Sequence, residues 1–185
     1  MPLFDRDSSR ICIDAGHGGE DRGAVVNGAD ESMINLLVAR QMREHLAMAD
    51  IPVMMTRELD KSVSWSHRRK VGDQCDLVLS IHVDSGANPL WRGMHFLHWP
   101  GNHTASAIAT KLAKHTPGAL RRASQVYPAN DRWPRAAYVV GVFRPTTLVV
   151  ELGFLTRLED AQYLSSSAGV HSTALALAAG VADMF

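Results

Sequence analysis

A surplus of charge of either sign is missing from this chain of 185 residues, in which 19 Lys and Arg face 19 Asp and Glu. That balance excludes a general nucleic-acid binder and a peptide that enters membranes by cationic charge alone. Cysteine is scarce as well. Cys12 and Cys75 are too few for a disulfide framework and lack CxxC spacing, so both read as buried reduced thiols in apolar strand-like runs. Long hydrophobic runs are absent: the longest, residues 174–182, is about half of what a bilayer span needs. The opening MPLFDRDSSR has no apolar signal core. The expectation is a soluble protein with no nucleic-acid partner, no membrane insertion and no export signal. Repeats, low-complexity tracts and linkers are missing too, and 46% of the residues are apolar. That is enough to bury one core. Residues 1–185 are therefore expected to form a single domain with no separate wall-binding module, and a monomer.

What is present alternates short aliphatic or β-branched runs with longer amphipathic ones, the pattern of an α/β domain. Residues 11–14 read as a strand, followed by the loop GHGGEDRGAVVNGADE and a helix over 31–48. That helix shows Ile34, Val38, Met42 and Leu46 on one face, Leu37 beside them, and Asp30 placed as its N-cap. Strands are predicted over 51–56, 76–83, 93–99, 138–142 and 147–152. Helices are predicted near 62–73, 103–115, 158–164 and 168–184. The Pro- and Arg-rich stretch 116–135 reads as a surface loop, and Arg121, Arg122, Arg132 and Arg135 make it locally basic. The fold expected is a mostly parallel sheet of about six strands flanked by helices on both faces.

Four residues fall where strands end or helices begin: His17, Glu31, His82 and Glu151. Parallel strands bring such positions to one sheet edge, where open α/β sheets bind ligands. Two imidazoles and a carboxylate are a common catalytic zinc set, and a further carboxylate that is not a ligand can move protons. Taken singly, GHGG also reads as a turn with a surface histidine, and Glu31 as a favourable acid in a first helical turn. His82 in DLVLSIHV and Glu151 in LVVELGF are harder to dismiss, because each places a polar group inside an apolar strand.

AGHGGEDRGA around His17, Glu31 opening its helix, DLVLSIHVDS with His82 and PTTLVVELGFLT with Glu151 follow one another in a fixed order. In that order and spacing they resemble the zinc-dependent N-acetylmuramoyl-L-alanine amidases of the type 3 class. The resemblance covers nearly the whole chain, including Thr56–Arg57, Arg68–Arg69 and the closing HSTALALAAGVADMF. It implies a zinc ion held by His17, Glu31 and His82, with Glu151 as catalytic acid/base. It also implies peptidoglycan as substrate, cut between N-acetylmuramic acid and L-alanine. Regulated members of the class carry an inserted helix that blocks the metal. Only about 50 residues separate Gly93 from Pro145, so an open site is expected. A compact amidase without wall-binding repeats resembles a phage endolysin for a Gram-negative host, released by a holin, or an enzyme secreted after a signal peptide is trimmed. Two other readings stand beside this one: a zinc peptidase or deacylase acting on another amide, and a non-catalytic wall-binding module, against which Glu151 argues.

Further candidates are Asp84 at the end of the His82 strand, placed for the substrate cleft or for a turn, and Arg57 and Arg144. Either arginine could hold a peptide carboxylate, and a structural ion pair explains either equally well. His95 and His98, with His103, offer a second metal site or ordinary satisfied histidines. Asp14 is expected to anchor the loop, and Trp91, Trp99 and Trp133 are candidates for a sugar cleft or the core margin.

Overall fold

In the computed structural model, which describes residues 2–88, 90–122, 125–130 and 133–185, one six-stranded sheet organises the chain. Its strands in chain order are β1 (Ile11–Ala15), β4 (Val53–Met55), β5 (Leu77–Asp84), β6 (His95–His98), β7 (Val126–Pro128) and β8 (Thr146–Phe154). Across the sheet the order is β4-β1-β5-β8-β6-β7. All neighbours run parallel except β6 and β8, which pair antiparallel. A small hairpin, β2 (Val25–Val26) with β3 (Ala29–Asp30), lies outside the sheet.

β1, β5 and β8 form the middle of the sheet and are nearly continuous runs of buried aliphatics. That is what strands covered on both faces require. Ile11, Ile13, Leu77, Leu79, Leu148 and Val150 point to one face. There they pack under α1 (Glu31–Met48), α3 (His103–His115), α5 (Leu158–Ser165) and α6 (Ser167–Ala182). Cys12, Val78, Leu97 and Val149 point to the other face, covered by α2 (Trp65–Gly72) and α4 (Pro134–Val142). Helices on both faces of a mostly parallel sheet is the architecture the alternating sequence pattern implied.

α1 begins where expected: the Asp30 side chain accepts from the Met33 N–H and Glu31 is the first helical residue. Its buried face contains Ile34, Val38, Met42 and Leu46 as anticipated, but the further leucine is Leu36, while Leu37 is 42% exposed. Two elements differ from the sequence reading. Residues 138–142, predicted as a strand, belong to helix α4, which starts with Pro134 in its first turn. Proline is favoured there because its missing N–H has no helical partner to lose. The stretch read as a loop contains instead a 3₁₀ turn (Gly118–Leu120) and the edge strand β7. Arg132 and its neighbour Asp131, part of the expected basic patch, lie outside the described residues.

Because β1, β5 and β8 are parallel, their carboxyl ends share one edge. His82 and Glu151 are direct register partners there. The loop after β1 and the start of α1 rise at the same edge.

Candidate metal centre

The loop that follows β1 is pinned from beneath before it carries any chemistry. Asp14, fully buried, accepts hydrogen bonds from Thr56 Oγ1, Ser80 Oγ and Arg68 Nη1, each at 2.6 Å. Burial alone would raise its pKa, but the Arg68 charge and these donors more than reverse that and hold it below the ordinary carboxylate value. Arg68 also donates to the carbonyls of Ala15 and His17, at 2.8 and 2.7 Å. Arg57 donates to those of Ala15, Gly16, Ser32 and Leu59. Two buried guanidinium groups thus set the path of the chain through Gly16 and His17.

His17 takes the left-handed conformation, φ 59°, a strained choice for a non-glycine residue that tends to mark functional turns. Its Nδ1 lies 2.8 Å from Asp21 Oδ2, which fixes the ring and turns Nε2 toward Glu31. Glu31 Oε1 sits 3.2 Å from His17 Nε2 and 3.1 Å from His82 Nδ1, and accepts from the Val83 N–H at 3.2 Å. The other oxygen, Oε2, accepts from the Ala24 N–H at 2.8 Å. Burial pushes the Glu31 pKa up, but His17 and His82 outweigh it and hold the carboxyl well below its usual range.

One ligand atom from each of His17, Glu31 and His82 falls within 4.8 Å of the others, the one such group among the described residues. A carboxylate oxygen shared by two imidazole nitrogens, on an ionised acid held by backbone donors, is a donor set suited to zinc. Space beside the cluster is kept free by glycine. A Cβ on Gly16 would collide with the His82 ring, and one on Gly23 would lie 2.5 Å from Glu31 Oε2. The residues present therefore fit the ion that the sequence implied.

Glu151 stands beside this cluster on β8, with Oε2 buried and lacking a hydrogen-bond partner among the described residues. Burial, then the negative charges of Asp84 and Glu31, raise its pKa well above the ordinary value. Asp84 is raised too, chiefly by burial, and lies 3.6 Å from His95 Nε2. His95 pairs with Glu151 across the β6–β8 register and stacks on Phe154, with centroids 5.3 Å apart. His17, Glu31, His82, Asp84 and Glu151 line a cleft of about 710 Å³, which Trp65 of α2 and the side chains of α4 also line.

The structure thus gathers His17, Glu31, His82, Glu151 and Asp84 in one cleft, and leaves both candidate arginines out of it. Arg57 is 2% exposed with its donors engaged by carbonyls, so it shapes the loop and offers nothing to a carboxylate ligand. Arg144 precedes β8, at the opposite end from the cleft, and pairs with Asp73 at 3.6 Å. The suggested second histidine cluster does not form. His95 and His98 are three apart on a strand and face opposite ways, and His98 Nδ1 is 2.9 Å from the Trp99 carbonyl oxygen. Trp91 packs against Phe154 and Trp133 lines the cleft, whereas Trp99 lies in a separate groove beside Arg144. The sequence reading missed Asp21, four residues after His17 and visible in the EDRG run, and Trp65, which nothing in its local sequence sets apart.

The sequence profile of the N-acetylmuramoyl-L-alanine amidases matches residues 11–183. Among curated proteins, the N-acetylmuramoyl-L-alanine amidase CwlM of Bacillus licheniformis is 29% identical over 182 residues, which cover 95% of this chain and 68% of that one. The endolysin of Bacillus phage SPP1 is 26% identical over 183 residues, covering 96% and 66%. In fold, the chain is similar to the catalytic domain of the amidase CwlV from Bacillus (Paenibacillus) polymyxa var. colistinus. The TM-score is 0.81 at 23% identity, over 95% of this chain and 97% of that one.

Proposed function

The chain belongs to the N-acetylmuramoyl-L-alanine amidase family, and we propose that it works as one, hydrolysing the amide between the lactyl group of N-acetylmuramic acid and L-alanine in peptidoglycan. His17, Glu31 and His82 would hold a zinc ion. When bound, zinc supplies a lowered pKa for a water molecule and polarisation of the scissile carbonyl. Glu151 is the general acid/base: it accepts the proton of the attacking water at its carboxylate and delivers that proton to the leaving alanine nitrogen. Asp21 holds the His17 tautomer that leaves Nε2 free for the ion, and the backbone donors of Ala24 and Val83 fix the Glu31 carboxylate. The site of action is the cell wall, reached by holin-type release or by secretion.

One observation carries the assignment of roles. Glu151 is placed in register beside His82 yet makes none of the contacts that tie His17, Glu31 and His82 together. A fourth ligand would join that network, whereas a proton carrier stands beside it. Mass spectrometry of digested sacculi is the direct test, with free stem peptides beginning at L-alanine as the expected product. Glu151→Gln should keep one zinc per chain by elemental analysis and lose hydrolysis by about 10²- to 10⁴-fold. His82→Ala should lose the zinc itself. Loss of zinc from the glutamine variant would make Glu151 a ligand and overturn its role.

A further inference from the structure

The wall of the cleft facing the ligand cluster carries two large aromatic side chains that the chemistry above does not use. Trp65 opens α2 and Tyr138 lies on α4; both line the cleft, and they are 40% and 55% exposed. Their rings meet edge to face, 5.2 Å apart at 82°. Two aromatic rings in mutual contact that leave so much surface in water are available to a ligand with an apolar face.

Their position is fixed with respect to the reacting centre. The Arg68 guanidinium lies over the Trp65 ring at 5.6 Å, and the same guanidinium is bonded to Asp14 and to the His17 carbonyl. The tryptophan is thus tied through one side chain to the loop that presents His17, and Tyr138 is braced against the tryptophan.

We propose that Trp65 and Tyr138 form a saccharide subsite, a ledge on which the pyranose ring of the muramoyl group stacks while its lactyl amide lies over the cluster. This rests on the amidase reading, which gives the substrate one saccharide arm and one peptide arm. An extended peptide binds through main-chain hydrogen bonds along a strand edge. The ledge is built from side chains of two helices, with no strand among its elements, so it offers a peptide no such edge. A pyranose instead presents a C–H-rich face to the rings and hydroxyls at its rim, where the Tyr138 phenol supplies a polar handle.

The test compares a disaccharide-bearing muropeptide with the same peptide N-acylated by lactate alone. For the wild type, kcat/KM should favour the sugar-bearing substrate. Trp65→Ala and Tyr138→Ala should each shrink that preference by about tenfold, mainly through KM, from the loss of one aromatic contact. Trp65→Phe should restore most of it. Trp99→Ala, in the groove at the other end of β8, should leave the preference unchanged. Tyr138 has no hydrogen bond to the Arg68 anchor and does not lie under its guanidinium as Trp65 does, so its variant separates lost stacking from a disturbed loop. In parallel, peptide-free disaccharide is titrated into chelator-treated protein and followed by the Trp65 indole resonance. Binding that Tyr138→Ala weakens supports the ledge even if neither substrate is cleaved, in which case the amidase reading alone fails. An unchanged preference in both alanine variants, or equal losses on both substrates, or no disaccharide binding, overturns it.

Discussion

Asp21 is 68% exposed in its side chain, yet its bond to His17 Nδ1 decides which nitrogen faces the cluster. Partners of this kind typically contribute 10- to 100-fold to metal affinity. Asp21→Ala should therefore weaken zinc binding by about that factor in a competitive chelator titration, with little change in the fold. Asp14, out of reach of any substrate, should behave in the opposite way. Asp14→Ala leaves Arg68 charged and buried, at a cost of about 3–5 kcal/mol, measurable by denaturant unfolding. Its folded-state pKa lies below the unfolded value near 3.9. The stabilisation it contributes is present above that value and is lost as pH falls through it. A variant whose deficit persisted unchanged at pH 2 would contradict this account. Of the four polar residues of the centre, His82 and Glu151 were legible in sequence because each interrupts an apolar run, His17 because it follows glycine after a strand, and Glu31 because it opens a helix. Arg57 was not, since an arginine engaged by carbonyls and one awaiting a carboxylate look alike until the surrounding backbone is seen.

Among the elements, the turn after β1 is the least tolerant. Gly16→Ala puts a methyl group into the His82 ring, and neither β1 nor β5 can yield, both being buried in the middle of the sheet. The variant should fold with reduced stability and lose most zinc binding, which calorimetry with and without added zinc would register as a vanished zinc-dependent rise in Tm. A full zinc-dependent rise would show that the ring has room to move. The same scale explains which elements the sequence concealed. α1 and α3 were readable to the residue because a side-chain cap marks one end and a periodic face runs through each. α4 was misread because YVVGV is short, β-branched and apolar, and its helical state is decided by packing on the second face of the sheet and by Pro134 at its start. β7 was missed because three residues at a sheet edge show no alternation to detect.

For the molecule as a whole, the buried carboxylates govern how stability follows pH. The zinc-free native state keeps a proton on Glu151 that the unfolded chain releases above about pH 4.3. Native stability therefore falls as pH rises from there. Glu151→Gln removes that dependence, so the zinc-free variant should be the more stable protein at neutral pH while the two converge near pH 4. Each kcal/mol recovered reads as about 2–4 °C in Tm for a domain of this size. A steeper fall in the variant would mean that another group carries the proton. α4 forms one wall of the cleft and leaves a volume of about 710 Å³ in front of the cluster. The purified protein should hydrolyse isolated sacculi without an added activator, and turbidity clearance that requires a second protein would refute this.

The strand order carries a consequence for synthesis. β8 lies between β5 and β6, although some 60 residues separate the end of β5 from its start. As the chain leaves the ribosome, β1, β4 and β5 can pair at once, and β6 with β7, but nothing joins these two groups into one sheet until β8 arrives. Glu151, the proposed proton carrier, travels on that late strand. A nascent chain that stops before β8 has both imidazoles and Glu31 but neither a continuous sheet nor the proposed general base, so the proposed hydrolysis has to await the synthesis of β8.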